Sequence, residues 1–147
     1  KGKEGDGAIA STLIIAQGGM IDAQGTESAP IIMTSVLDNI TVRQQAGTNL
    51  DETDAGLWGG LIVLGYAPIS ADAATALIEG LPANEAYAVY GGTDAADNSG
   101  YIEYVSVRHG GTLIGDGNEI NGITLAGVGS ATVVNNIEVV ANVDDGV

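Results

Sequence analysis

Arg108 and His109 are the residues of this chain best suited to proton transfer, and Glu103 precedes them by about one strand length. Elimination on an acidic sugar chain needs a base, together with carboxylates that hold Ca²⁺. Adjacent strand residues point to opposite faces, so the pair serves one site only if a bulge intervenes at Gly110 and Gly111. We therefore predict no catalytic residue, and we interpret the pair as surface residues at the end of a strand, with ligand contact as the alternative.

Paired carboxylates would support a different reaction, the hydrolysis of a glycosidic bond across a groove. Glu103 and Glu138 are candidates if their strands are stacked. Exposed glutamates on stacked strands more commonly form a solvated ladder. No spacing in the sequence selects a catalytic pair.

Hard oxygen ligands for Ca²⁺ lie in glycine-rich bends. The candidates are Asp94, Asp97, Asn98, Asp116, Asn118, Glu119, Asp144 and Asp145. None follows the twelve-residue helix-loop-helix spacing or the glycine-rich nonapeptide repeat. Ca²⁺ is therefore possible but not required, and the alternative is that Asp, Asn and Gly simply form the turns.

Aromatic side chains offer a third kind of site, a stacking surface for a neutral glycan. The candidates are Trp58, Tyr87 and Tyr90, with Tyr101 and Tyr104 close to them in sequence and with Arg108 and His109 as polar contacts. The alternative for Trp58 is that it packs at the start of its strand. The alternative for the tyrosines is that they cover the fold from outside.

Composition narrows the classes of partner. The 147 residues carry a formal charge of −15, which repels nucleic acid, so nucleic-acid binding is excluded. The chain has no Cys and no apolar run long enough to cross a bilayer, so we expect no disulfide and no membrane insertion in this segment. Acidity alone identifies no partner, because it also keeps a β-rich protein soluble.

Short apolar segments separated by Gly, Asn or Asp predict strands, and nothing resembles a long amphipathic helix. We place strands within residues 12–17, 19–25, 30–35, 58–65, 101–111, 121–129 and 135–142. Residues 36–56 and 66–100 are polar and rich in turn residues, and they are interpreted as loop excursions at the corners of the fold.

The arrangement of these strands favours a solenoid over a sandwich. Asn121-Gly122 is the only Asn-Gly pair and it opens a strand, so hairpin signals are scarce. Repeated strand-and-bend units stack on one another in a solenoid. We predict an all-β fold, a right-handed parallel β-helix (β-solenoid) with two polar loop excursions. We expect residues 1–147 to form a single segment of a longer chain.

Three stretches are informative about the family: GLWGGLIVLGYAPIS at 56–70, YGGTDAADNSGYIEYVSVRHGG at 90–111 and NEINGITLAGVGSATVVNNIEVVANVDDGV at 118–147. They resemble secreted β-helix surface proteins of Gram-negative bacteria, which often carry a lipoprotein signal or a type nine secretion sorting domain. The resemblance implies the β-helix fold and an extracellular or outer-membrane location. It implies no particular activity, since fold does not determine function.

These observations favour a non-enzymatic structural or adhesive protein that acts as a stalk or platform. Its expected partners are other surface proteins, a glycan, or a second copy of the chain. Two alternatives stay open: a polysaccharide-active lyase or hydrolase, and the subunit of an extracellular filament. Convergent carboxylates with a base in a groove would indicate the enzyme, and end-to-end contacts of identical chains would indicate the filament.

Overall fold

The chain is described here by a computed structural model that covers residues 1–2, 11–79, 81, 85–112 and 120–147. Within these residues the fold is all-β, and the one helix is a three-residue 3-10 turn at Ala86–Ala88. No helix in the described ranges is long and apolar enough to cross a membrane. The strands are β1 Thr12–Ile15, β2 Ile21–Gln24, β3 Ile31–Met33, β4 Gly60–Leu64, β5 Ala76–Leu77, β6 Val89–Tyr90, β7 Gly100–Arg108, β8 Ile123–Ala126 and β9 Val133–Val140.

Strand prediction is confirmed in position, because each of the seven apolar segments overlaps one strand of the structure. These strands are β1 to β4 and β7 to β9. The sequence missed the short strands β5 and β6, which form an antiparallel pair inside the second excursion. Strands of two residues carry too little pattern to be recognised.

A first parallel sheet has the strand order β1-β4-β8. Leu61 of β4 lies beside Leu13 of β1 on one side and beside Ile123 of β8 on the other. Every residue of β4 is buried. A strand covered on both faces reads as a continuous apolar run, and GLIVL in β4 has this pattern.

A second parallel sheet is built around β7, the longest strand. The first part of β7 pairs with β2, so that Tyr101 lies beside Asp22, and the later part pairs with β3. On its other edge β7 pairs with β9 in parallel. The chain therefore forms three levels: β1, β2 and β3 in the first, β4 and β7 in the second, and β8 and β9 in the third.

The two sheets share one hydrophobic core between them. Leu61 and Val63 from the first sheet pack in the same cluster as Ile102, Val105 and Val107 from the second, and all five are almost fully buried. Aliphatic side chains dominate this cluster, as the absence of Phe from the chain requires.

Bends in the second sheet lie at matching positions of neighbouring levels. Tyr104 and Asn136 have φ of 50° and 52°, and the flanking register places them side by side. His109 and Ala141 repeat this relation at the end of the two strands, with φ of 59° and 54°. Gly100 begins β7 with φ of 106°, and a Cβ there would overlap the backbone of Ile21 in the level next to it.

The excursion 66–100, between β4 and β7, forms a covering segment over the outer face of the first sheet. Ile78, Leu81 and Tyr90 pack against a second apolar cluster that contains Ile62 and Leu64. The sequence predicted a loop excursion here, and the structure adds the strand pair of β5 and β6 to it. Its covering function was not predicted.

The excursion between β3 and β4 lies against the outer face of the second sheet, beside β3 and the end of β7. Ile40 is 9% exposed, and residues 40–44 line a depression together with Pro30 and Ile32. Arg108 of β7 donates a hydrogen bond from Nη1 to the carbonyl oxygen of Gln45, 2.6 Å away. Both excursions are thus attached to the sheets rather than projecting from them.

Candidate functional site at the corner beside Arg108

Arg108 is held by three contacts at the end of β7. Nε donates to Ser106 Oγ at 2.8 Å, Nη1 donates to the carbonyl oxygen of Gln45, and Nη2 lies 3.3 Å from Glu138 Oε2. Ser106 in turn donates to the same oxygen of Glu138 at 2.5 Å. Because Glu138 belongs to β9, this network links two levels of the fold and the excursion 36–56.

The network borders an open depression of about 260 Å³ on the outer surface. Its floor is formed by β7, from Tyr104 to Arg108. Its lining residues are Glu27, Pro30, Gln45, Tyr104, Val105, Ser106, Arg108, Asn136 and Glu138. This is the place where the structure gathers an aromatic ring, a cation and two carboxylates.

His109 does not share this site with Arg108. The imidazole is buried, 6% exposed, and its Nδ1 lies 2.7 Å from the carbonyl oxygen of Asp54. A carbonyl oxygen only accepts hydrogen bonds, so Nδ1 carries the proton and donates it. Opposite faces for the two residues were expected, but the placement of His109 at the surface was wrong, because the ring packs beneath the excursion 36–56.

Trp58 is also buried, which corrects the expectation that its ring could stack on a sugar. The side chain is 4% exposed and belongs to the core cluster. Its indole Nε1 donates to the carbonyl oxygen of Arg108 at 2.7 Å. Trp58 therefore has the packing role that the sequence left as its alternative.

The two predicted tyrosines lie on the segment that covers the first sheet and differ in exposure. Tyr87 is 40% exposed. Tyr90 is half-buried against the apolar cluster around Ile62 and Leu64. Only Tyr87 keeps a ring that a ligand could reach, and it lies outside the depression beside Arg108.

Asp97 forms the base of the covering segment. Its Oδ1 accepts from the backbone N–H of Tyr66 at 3.0 Å, and its Oδ2 accepts from Ser99 Oγ at 2.9 Å and from the N–H of Gly129 at 3.4 Å. With 7% exposure, this carboxylate is occupied on both oxygens by protein groups. It acts as a turn organiser.

Asp94 and Asn98 make shorter-range turns of the same kind. Asp94 Oδ1 accepts from the N–H of Ala96, and Asn98 Oδ1 accepts from the N–H of Gly100. Two-residue hydrogen bonds of this type are the usual function of Asp and Asn in bends. The turn interpretation thus accounts for these side chains.

The remaining predicted calcium ligands are Asp116, Asn118, Glu119, Asp144 and Asp145. Asp144 and Asp145 are exposed near the end of the chain. Asp116, Asn118 and Glu119 lie outside the described residues. Across the described ranges, no group of three or more His, Cys, Asp or Glu side chains could hold a metal ion.

Hydrogen bonds lower the pKa of one carboxyl group in the excursion 36–56, that of Asp51. The hydroxyl and the backbone N–H of Thr53 both donate to Asp51 Oδ1, at 2.6 and 2.9 Å. These hydrogen bonds, the side-chain bond first, hold the pKa of Asp51 below its usual range. The group is fully exposed, so the effect is local.

Sequence reasoning missed most of the depression. Ser106, Tyr104 and Asn136 lie on predicted strands, but Gln45 and Glu27 reach the corner from loops. The alternation of a strand puts Ser106 and Arg108 on one face, and this was the signal by which part of the corner could have been found. Nothing local indicated that two loops would meet there.

Comparison with known proteins agrees with the parallel sheets. A protein-family model described as a pectate-lyase like beta helix domain matches residues 3–147. No curated protein and no solved structure matches the chain. Because the family match spans nearly the whole sequence, the chain belongs to the family of pectate-lyase-like β-helix domains.

Proposed function

We propose that the three levels form a closed, right-handed parallel β-helix that serves as a non-enzymatic structural or adhesive platform. Parallel strands in one sheet are joined by right-handed crossovers in about 98% of cases, which supports this hand. The shared core between the two sheets supports closure around a single apolar interior.

The observation that carries the non-enzymatic role is the engagement of Arg108. Its guanidinium donates to Ser106 and Gln45 and pairs with Glu138, so it ties together two strands and a loop. Arginine also keeps its proton in proteins, which makes it a poor base. The imidazole of His109 is buried against a backbone carbonyl, so it is not presented to a substrate.

An extracellular or outer-membrane position on a Gram-negative bacterium is part of this proposal. Its support is the sequence resemblance to secreted β-helix surface proteins, together with the strongly acidic composition. The proposed partners are a glycan, another surface protein or a second copy of the chain. Neither a cofactor nor Ca²⁺ is needed for such a role.

Incubation with polygalacturonate and with neutral plant and bacterial polysaccharides tests the proposal. We expect no unsaturated product by ultraviolet absorbance and no new reducing ends, with Ca²⁺ added or chelated. The non-enzymatic role is refuted if product is released by the unmodified chain and this release is lost in Arg108→Ala or Glu138→Gln. The control Tyr87→Ala should then still release product.

The alternative is a polysaccharide-active enzyme, and the depression beside Arg108 is the observation in its favour. Glu27 and Glu138 line the same space, so two carboxylates border one groove. A pair of carboxylates flanking a sugar is the arrangement that glycoside hydrolysis uses. The reducing-end assay distinguishes this alternative directly.

A further inference from the structure

We propose that the depression around Tyr104 binds one sugar unit of a neutral, hydroxyl-rich glycan. This inference rests on the proposed role as a binding platform and assigns that role a site. Of the sequence candidates for glycan contact, Tyr104 and Arg108 line this depression, whereas Trp58, Tyr87 and Tyr90 lie outside it.

The shape of the corner favours the binding of a small ligand. The outer surface of a bend between strands is convex unless something builds walls around it. Here the loop that links β2 to β3 supplies Glu27 and Pro30, and the excursion 36–56 supplies Gln45. The cavity of about 260 Å³ is near the lower end of ligand pockets, roughly 300 Å³, so it suits a single ring.

The hydrogen-bonding groups of the depression suit hydroxyls. Arg108 has five N–H donors, and its three protein contacts leave further N–H groups for a ligand. Glu138 uses Oε2 for both Ser106 and Arg108, which leaves Oε1 as an acceptor. The amide of Asn136 adds both a donor and an acceptor.

Charge selects a neutral ligand over an acidic one. One guanidinium faces the carboxylates of Glu27 and Glu138 within the depression. The chain as a whole carries −15. A uronate chain would therefore be repelled locally and at long range, whereas a neutral glycan needs only hydrogen bonds and an aromatic face.

The backbone at Tyr104 adopts an uncommon conformation. Its φ of 50° is in the left-handed region, which is uncommon for a bulky side chain. Asn136, beside it in the next level, adopts the same conformation with a residue type that tolerates it. The bend therefore holds the ring of Tyr104 at the depression, where it offers an aromatic face to a sugar.

Three variants test the assignment. Tyr104→Asn removes the ring and copies the residue already found at the neighbouring bend, so folding is preserved. Glu27→Gln removes one wall carboxylate from an exposed loop. The matched control is Tyr101→Thr, which removes an exposed tyrosine of the same strand that lies outside the depression.

The probes are cellohexaose, xylohexaose and mannohexaose, with hexagalacturonate as the acidic comparison, measured by calorimetry and by amide chemical shifts. We expect at least one neutral probe to bind the unmodified chain and to bind Tyr104→Asn about tenfold more weakly, as losing one aromatic contact implies. Glu27→Gln removes one of the carboxylates that repel a uronate, so it should narrow the difference in Kd between hexagalacturonate and the neutral probe. Tyr101→Thr should change the Kd of the neutral probe by less than about twofold.

Failure of all neutral probes to bind, binding that survives Tyr104→Asn, or tighter binding of hexagalacturonate would overturn the assignment. Reducing ends are measured in the same samples. Cleavage of a probe contradicts the non-enzymatic function, whereas absence of binding without cleavage contradicts only the site.

Discussion

The outer faces of the two sheets differ in a way that explains their sequences. The outer face of the first sheet presents Ile62 and Leu64, which are 1% and 0% exposed under the covering segment. The outer face of the β2 part of the second sheet presents Asp22 and Gln24, which are exposed. Strand β2 consequently alternates between buried and exposed residues, whereas β4 is buried throughout.

The apolar residues on the outer face of β4 are explained by the covering segment, which follows β4 in the sequence and packs against them. An apolar residue on an outer face is favourable only if something removes it from water. The covering segment contributes Ile78, Leu81 and Tyr90 for this purpose. The uncovered face needs no such partner, and its polar residues keep it soluble.

Truncation of a covered residue should have the largest effect. Ile62→Ala removes a fully packed side chain from the outer cluster, and we expect it to lower the free energy of unfolding by about 2–5 kcal/mol. Gln24→Ala, on the uncovered face, should change it by no more than about 0.5 kcal/mol. Urea denaturation measures both, and equal losses would contradict the distinction between the faces.

The base of the covering segment should be the next most sensitive position. Asp97→Asn replaces an oxygen that accepts from Ser99 and Gly129 with a donor, so we expect a loss of about 1–3 kcal/mol. Asp94→Asn retains an oxygen that can accept from the N–H of Ala96 and serves as the control. If Asp94→Asn lowers the free energy of unfolding as much as Asp97→Asn does, Asp97 has no special role at the base of the covering segment.

Loss of the Arg108 network should act locally rather than globally. Glu138 is 56% exposed, so we expect Glu138→Gln to change the free energy of unfolding by only about 0–1 kcal/mol. Arg108→Ala also removes the bond to Gln45, and amide hydrogen exchange of residues 39–49 should accelerate while that of β4 stays slow. Unchanged exchange in 39–49 would show that the excursion is held by other contacts.

The smallest expected change concerns Asp51. Thr53→Val removes the hydroxyl that donates to Asp51, so the pKa of Asp51 should rise toward its usual value in a carboxyl NMR titration. A depressed folded-state pKa adds stability above the unfolded-state pKa and loses it as pH falls through the folded-state value. The control Thr48→Val removes the acceptor of Asn39 and should leave the pKa of Asp51 unchanged; a similar rise there would contradict this cause.

Prediction from sequence succeeded where the signal is local. Alternation and glycine-rich bends placed the strands, and the same reasoning separated Arg108 from His109. The sequence left Trp58 with two interpretations, packing and stacking on a sugar, and burial of His109 was not foreseen, because it depends on the excursion 36–56. The corner depression was missed for the same reason: Glu27 and Gln45 reach Tyr104 only through tertiary folding.

The fold depends on the stacking of β7 between β2 and β9, which paired cysteines can test because the chain has no cysteine of its own. Asp22 lies beside Tyr101, and Tyr101 lies beside Val133. Neighbouring strands are about 4.8 Å apart, within the range for a disulfide, whereas strands two levels apart are about 9.6 Å apart and beyond it.

Each double variant is oxidised and mapped by mass spectrometry. We expect rapid cross-linking of Asp22→Cys with Tyr101→Cys and of Tyr101→Cys with Val133→Cys, and none of Asp22→Cys with Val133→Cys. Efficient cross-linking of the last pair, or failure of the first two in folded protein, would contradict the parallel stack.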